Sequence, residues 1–249
     1  MAETIASESV AIPVSRGLLA RFVGVLTSPR ATYADIARQP TWLGMFLLVV
    51  IVSTACQGWL SSTAIGRQAA IEKATEMVRL VGQRIPEERL TAMREQIMTM
   101  PAWRAYLNAV LGSIVFVAIG SAIITGVLLA IFNAVLGGAA TFTQLFAVVM
   151  FSDAVVVVKT IFTTPLNYAR ESFSNPTTFA ALLPMLDEKG LMAAVLGSVD
   201  FFWLWWLVSL AIGLGVLYKR PTQGIAVSLI STYVVLAVTI SAGIALIAG

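Results

Sequence analysis

The sequence contains no histidine and a single cysteine, Cys56. Without imidazole there is no Ser-His or Cys-His nucleophile, no zinc-protease helix, no His-ligated haem and no imidazole proton relay. One thiol cannot build a disulfide framework; Cys56 stands in an apolar run, reads as a small packing residue and says nothing about redox compartment. Charge is scarce too: 12% of the 249 residues are Asp, Glu, Lys or Arg, against 58% hydrophobic. A mean hydropathy of +0.88 excludes an ordinary water-soluble domain of this length. Phosphate-binding glycine loops, nucleophile elbows and metal-ligand clusters are likewise missing, so no enzyme activity, cofactor, metal or nucleic-acid partner is expected.

What the chain does have is five apolar blocks, roughly 42–65, 107–136, 146–166, 195–218 and 224–248. A spanning helix needs about 20 apolar residues to cross ~30 Å of hydrocarbon, and each block has that length. The expected fold is an all-α integral membrane protein with five transmembrane helices, an N-terminal interfacial amphipathic helix and an extramembrane helical hairpin. A polar tail, 1–15, precedes a single membrane domain, 16–249. The tail has no basic segment ahead of an apolar core, so the first span is expected to act as the insertion signal.

Leu18, Leu19, Phe22, Val23 and Leu26 recur at helical spacing with Arg16 and Arg21 as a basic fringe, which predicts a helix lying on the membrane surface. Ser28 is placed as N-cap and Pro29 at the first position of a second short helix. Arg16, Arg21, Arg30 and Arg38 before the first span, and Lys219-Arg220 after the fourth, put both segments on the cytoplasmic side and the carboxyl end outside. Gly66 to Tyr106, with seven Lys/Arg against five Glu, then falls on the outer side. Its stripes Ile71, Ala74, Val78, Val81 and Leu90, Met93, Ile97, Met100 predict two amphipathic helices, separated by 82–85, the second starting at Pro86-Glu87-Glu88. Pro40-Thr41-Trp42 and Pro101-Ala102-Trp103 are interfacial anchors. Small-residue ladders, Ala118-Ala122-Gly126 and Ala237-Ser241-Ala245-Gly249, offer smooth faces for close helix packing within the bundle.

An ionisable residue in hydrocarbon is costly and marks a candidate site. Three occur within the blocks: Asp153 and Lys159 on the third, Asp200 at the start of the fourth. Six residues turn a helix by about 240°, so Asp153 and Lys159 do not share a face, and Asp200 is the expected partner of Lys159. An intramembrane aspartyl protease would need its own surroundings for paired carboxylates; Ser152-Asp153 and Gly197-Ser198-Val199-Asp200 do not match them.

The run Ser28-Pro29-Arg30-Ala31-Thr32-Tyr33-Ala34-Asp35-Ile36-Ala37, continuing through Pro40-Thr41-Trp42-Leu43, resembles the amino-terminal signature of bacterial members of the Yip (Ypt-interacting protein) domain family. Phe142 to Val149, Asn175 to Leu183, and Asp200-Phe201-Phe202 with Trp205 and Gly213 extend the likeness over most of the chain. The resemblance implies a five-helix membrane domain with a cytoplasmic amino end, in a bacterial inner membrane. Eukaryotic relatives of this kind bind prenylated small GTPases in membrane traffic; the bacterial type has no defined activity. Where that family usually shows Tyr-Ala and a proline in the third span, Phe151-Ser152-Asp153-Ala154-Val155 stands here.

Two classes of function follow. A non-enzymatic scaffold or adaptor, embedded in the lipid bilayer, would bind protein partners or a second copy of itself through the amino-terminal amphipathic helix or the 66–106 hairpin. A small transporter, channel or lipid-handling protein would instead line a polar crevice with Asp153, Lys159 and Asp200, with Asn133 or Gln144 nearby.

Overall fold

The computed structural model describes residues 17–80, 86–173, 175–183 and 191–248. The polar tail with Arg16, and residues 81–85, which include Val81 of the first stripe and the expected separation of the two hairpin helices, lie outside the described residues. The described residues are mostly helical: α1 (Leu18–Thr27), α2 (Pro29–Arg38), α3 (Leu43–Ser62), α4 (Ala64–Leu80), α5 (Glu87–Met98), α6 (Ala102–Leu129), which runs into a π-helical turn at Ala130–Val135, α7 (Phe142–Ser152), α8 (Ala154–Ala169), α9 (Leu191–Gly197), α10 (Phe201–Leu217) and α11 (Thr222–Ala248). Among the described residues four helices are long and apolar enough to cross a bilayer: Leu43–Ser62, Ala102–Val135, Phe142–Ala169 and Thr222–Gly243. The fifth apolar helix, α10, has 17 residues and is shorter. This is an all-α integral membrane protein.

The centre of the bundle is α7. Every residue from Leu145 to Ser152 is buried, which explains why this helix is apolar on all sides rather than amphipathic. Thr141 starts it with a full capping box: its hydroxyl accepts from the Gln144 N–H while the Gln144 amide oxygen accepts from the Thr141 N–H.

The two amino-terminal helices do more than lie on a surface. Ser28 and Pro29 open α2 as expected, but α2 is docked into the bundle against α7 and α10, with Tyr33 and Ile36 fully buried. Arg21, expected as part of an exposed basic fringe, is also buried. Its guanidinium donates to Asp35 Oδ2 at 2.8 Å, to the Gln39 carbonyl at 3.1 Å and to Thr41 Oγ1 at 2.7 Å, tying α1, α2 and the approach to α3 together. The reason is chemical: five fixed N–H donors satisfy a carboxylate and a helix-end carbonyl at once, which makes burial tolerable.

The Tyr33 hydroxyl lies 2.9 Å from Ser152 Oγ on α7 and 2.8 Å from Ser209 Oγ on α10. Ser152 spends its proton on the Val148 carbonyl at 2.9 Å, so the direction of the chain is set: Ser209 donates to Tyr33, Tyr33 to Ser152, and Ser152 to Val148. Gly213 makes room, since a Cβ there would stand 2.5 Å from Val148 Cγ1 and 3.0 Å from the Tyr33 ring.

The α5 stripe is as expected: Leu90, Met93, Ile97 and Met100 are the half-buried residues of an otherwise exposed segment. Of the α4 stripe, Ile71 is buried and Ala74 half-buried. Pro86 stands one place ahead of α5, with Glu87 and Glu88 in its first turn. On α6, however, the packed face is not the expected ladder. Ser121, Thr125 and Leu128 are buried, whereas a Cβ on Gly126 would meet nothing within 4 Å. The close approach of α3 and α6 is instead at Gly58, which seats the Tyr106 ring.

The amino-terminal helices, the 136–141 loop and the Lys219-Arg220 turn share one end of the bundle: Gln144 donates to the Ala37 carbonyl at 3.2 Å and Arg220 to the Leu136 carbonyl at 2.8 Å. The α4–α5 pair and the start of α10 lie at the other end. Replacing Tyr33 by Phe removes the middle link of the hydroxyl chain and is expected to cost about 1–3 kcal/mol, read as a shift in the unfolding midpoint of the reconstituted protein, with no loss of helix content.

Candidate functional site

The three intramembrane charges do not form one cluster. Lys159 and Asp200 meet, as their spacing predicts: Lys159 Nζ is 2.8 Å from Asp200 Oδ2, the carboxylate side chain being only 3% exposed. The ammonium also lies 5.5 Å over the Trp203 ring. Asp200 Oδ2 accepts further bonds from Asn175 Nδ2 and Thr177 Oγ1, and Oδ1 accepts from the Trp203 N–H at 3.0 Å.

That last bond corrects the expected extent of the fourth span. The 195–218 block is not one helix: α9 ends at Gly197, Asp200 is extended, and α10 begins with Asp200 as its N-cap. The Phe179 N–H donates to the Val199 carbonyl at 3.1 Å and the Phe201 N–H to the Thr177 carbonyl at 3.1 Å, so segment 175–183 pairs with the break. A carboxylate free to cap an N-terminus competes with helix continuation, and here the cap, the lysine and the side chains of Asn175 and Thr177 all favour the break. Apolarity alone carried no sign of it, although aspartate three residues before a tryptophan-rich run is the spacing of a cap.

Asp153 lies apart. It marks a bend between α7 and α8, where its own N–H reaches back to Met150 instead of Val149, and its Oδ1 accepts from Trp206 Nε1 at 2.8 Å. It borders a crevice of about 430 Å³ between α3, α6, α8 and α10, which also meets Ser53, Gln57, Phe116, Ser121 and Trp203. Lys159 and Asp200 do not line it. Nor do Asn133 and Gln144, expected near the charges. Asn133 closes the 136–141 loop by donating to the Ala140 carbonyl at 2.8 Å and accepting from the Tyr218 hydroxyl at 2.9 Å, while Gln144 is consumed in the α7 cap; both belong to the opposite end of the bundle. Among the described residues no group of three His, Cys, Asp or Glu side chains gathers as for a metal.

An interfacial helix pair followed by this helical bundle matches one sequence family: the Yip1 domain profile covers residues 23–244. The chain belongs to the Yip1 domain family. No curated protein and no solved structure matches it. Seen against the Yip1 domain, whose profile begins at residue 23, the matched region takes in the Tyr33 junction, both aspartates and the whole of α6.

The sequence did not single out the tyrosines, yet Tyr233 completes this site. Its hydroxyl donates to the Ser198 carbonyl at 3.1 Å and accepts from the Asp200 N–H at 3.2 Å, satisfying two backbone groups freed by the break. A tyrosine in the middle of an apolar span is the signal that pointed there, because its hydroxyl needs a partner in hydrocarbon. Changing Lys159 to Met strands a buried carboxylate and is expected to destabilise the reconstituted protein by about 3 kcal/mol. Adding Asp200→Asn to that variant should restore most of the loss, since the amide keeps a cap without a charge; denaturant titration of both variants measures it.

Proposed function

We propose that this Yip1-domain protein is a non-enzymatic scaffold or adaptor of its membrane, with the amino-terminal helices on the cytoplasmic side. The observation that carries this reading is the closed state of the Lys159–Asp200 pair. Both charges are spent on each other and on Asn175, Thr177 and the α10 amino end, so they serve the joint between α8, α9 and α10 rather than a solute. Arg21 and Asp35 are spent in the same way at the opposite end.

Two surfaces remain for partners. The outer side of α1 exposes Leu19 and Val23 while its inner side is fixed by Arg21. The α5 helix has no buried residue and presents mixed charge beside Met98. Met side chains adapt to varied partners, and a helix fixed on one side presents the other in constant geometry.

Cross-linking of the full-length protein in its own membranes, followed by purification in nanodiscs, tests the reading. The expected result is a stoichiometric protein partner attached through α1 or α5, lost respectively in Leu19→Asp/Val23→Asp or in Met98→Asp, and retained in Lys159→Met/Asp200→Asn. Solute flux into proteoliposomes that the latter pair or Asp153→Asn abolishes would overturn it in favour of a transporter.

A further inference from the structure

Among the described residues, Asp153 is the one intramembrane charge that no opposite charge meets. Only 8% of its surface is accessible, its Oδ1 is held by Trp206, and no described residue donates to Oδ2. Lys159, one and a half turns away, is committed to Asp200. A carboxylate left this way in hydrocarbon is costly unless a cation or a donor reaches it.

The crevice beside it is built to admit one. The main contacts of α6 are with α3 along its length and with α7 near its far end, so it stands away from α8 and α10 and leaves a wedge open sideways to the bilayer. Phe116, 76% exposed, stands on the rim. Inside, Val49, Val117, Ile124 and Val156 supply apolar wall, Trp206 holds the carboxylate through its N–H, and Trp203 lines the crevice. Polar side chains form a path from Asp153 outward: Ser121 and Ser53 beside it, then Gln57 and Asn108 toward the α4–α5 end, where a second hollow of about 270 Å³ continues past Arg67. The buried Nε of Arg67, at the second hollow, finds no hydrogen-bond partner in the described protein.

A carboxylate with one free oxygen beside an apolar wall is the complement of one ligand class. We infer that this crevice binds an amphipathic amine, its ammonium on Asp153 Oδ2 and its apolar body along α6. The volume, about 430 Å³, falls within the roughly 300–1,000 Å³ of small-molecule sites, and a carboxylate without a counter-charge in an apolar surround favours a cation over a neutral group of the same shape. The site stands whether or not a protein partner binds at α1 or α5, because none of those surfaces lines it.

The test uses dansylcadaverine, a primary amine with a fluorescent reporter, and its neutral N-acetyl derivative, added to the full-length protein in phosphatidylcholine nanodiscs. Energy transfer from tryptophan to dansyl is the readout, with empty nanodiscs as background. The expected result is saturable transfer with the amine and at least tenfold weaker binding of the N-acetyl derivative. Asp153→Asn should weaken the amine at least tenfold and leave the N-acetyl derivative unchanged. Gly120→Leu, at a crevice position where an added Cβ meets nothing within 4 Å, should abolish both without disturbing Asp153 or the packing. Equal binding of amine and N-acetyl derivative, full amine affinity in Asp153→Asn, or full amine affinity in Gly120→Leu each overturns the inference. Should Asp153→Asn not fold, the N-acetyl comparison and Gly120→Leu decide it alone.

Discussion

The Tyr33 hydroxyl holds the rest in register. Within lipid the hydrophobic effect does not pull helices together, because the tails around them are as apolar as leucine; close packing and hydrogen bonds must do it. Tyr33 comes from a short helix outside the spans, penetrates between α7 and α10, and links them through a directed chain of three hydrogen bonds ending on the Val148 carbonyl. Arg21 and Asp35 then fix the angle at which α2 arrives, and Gly213 admits the ring. Remove the hydroxyl and α2 is held to the spans by apolar contact and the Gln144 bond to the Ala37 carbonyl.

The same device recurs. The protein has five tyrosines, and each sits at a helix joint. Tyr106 fills the groove at Gly58 between α3 and α6, and Tyr168 packs on Trp59 at 5.2 Å to join α8 to α3. Tyr218 stacks on Phe132 at 4.7 Å and reaches Asn133, and Tyr233 holds α11 to the break before α10. A phenol brings area and one hydrogen bond without the desolvation of a charge, which suits joints that must form in hydrocarbon.

Helix positions, the α4–α5 stripes, the Ser28-Pro29 start and the Lys159–Asp200 pairing were legible, because each rests on period or spacing along one chain. What was not legible depended on a partner distant in sequence. Arg21 looked like surface charge because Asp35 and Thr41 are brought to it only by the turn at Ser28. Asn133 and Gln144 looked like crevice polarity, yet the loop between α6 and α7 consumes both locally at the other end. The break at Asp200 was hidden because hydropathy counts a capping aspartate and an intrahelical one alike. Which small-residue stripe of α6 would face α3 could not be read either: Ser121 and Thr125 mark the packed side, and an exposed ladder is equally smooth.

The carboxylates of Asp35, Asp153 and Asp200 differ in how they are satisfied, and that difference separates support from chemistry. Asp35 faces an arginine, and Asp200 faces a lysine plus a helix amino end and two side-chain donors. Each is closed at both oxygens or lies at a joint that moving would unmake. Asp153 has a single indole N–H and an open side. Around it the packing is uneven: 61% of the most apolar stretch of Phe142–Ala169 is buried, against 17% for that of Ala102–Val135 and none for that of Thr222–Gly243. The densely packed half of the bundle therefore holds Asp153 from one side, while α6, held by α3 and α7 rather than by α8 and α10, bounds the other. A fixed charge opposite a wall that does not close on it can accept a guest in the space already there, without breaking the Tyr33 junction or the Lys159–Asp200 pair.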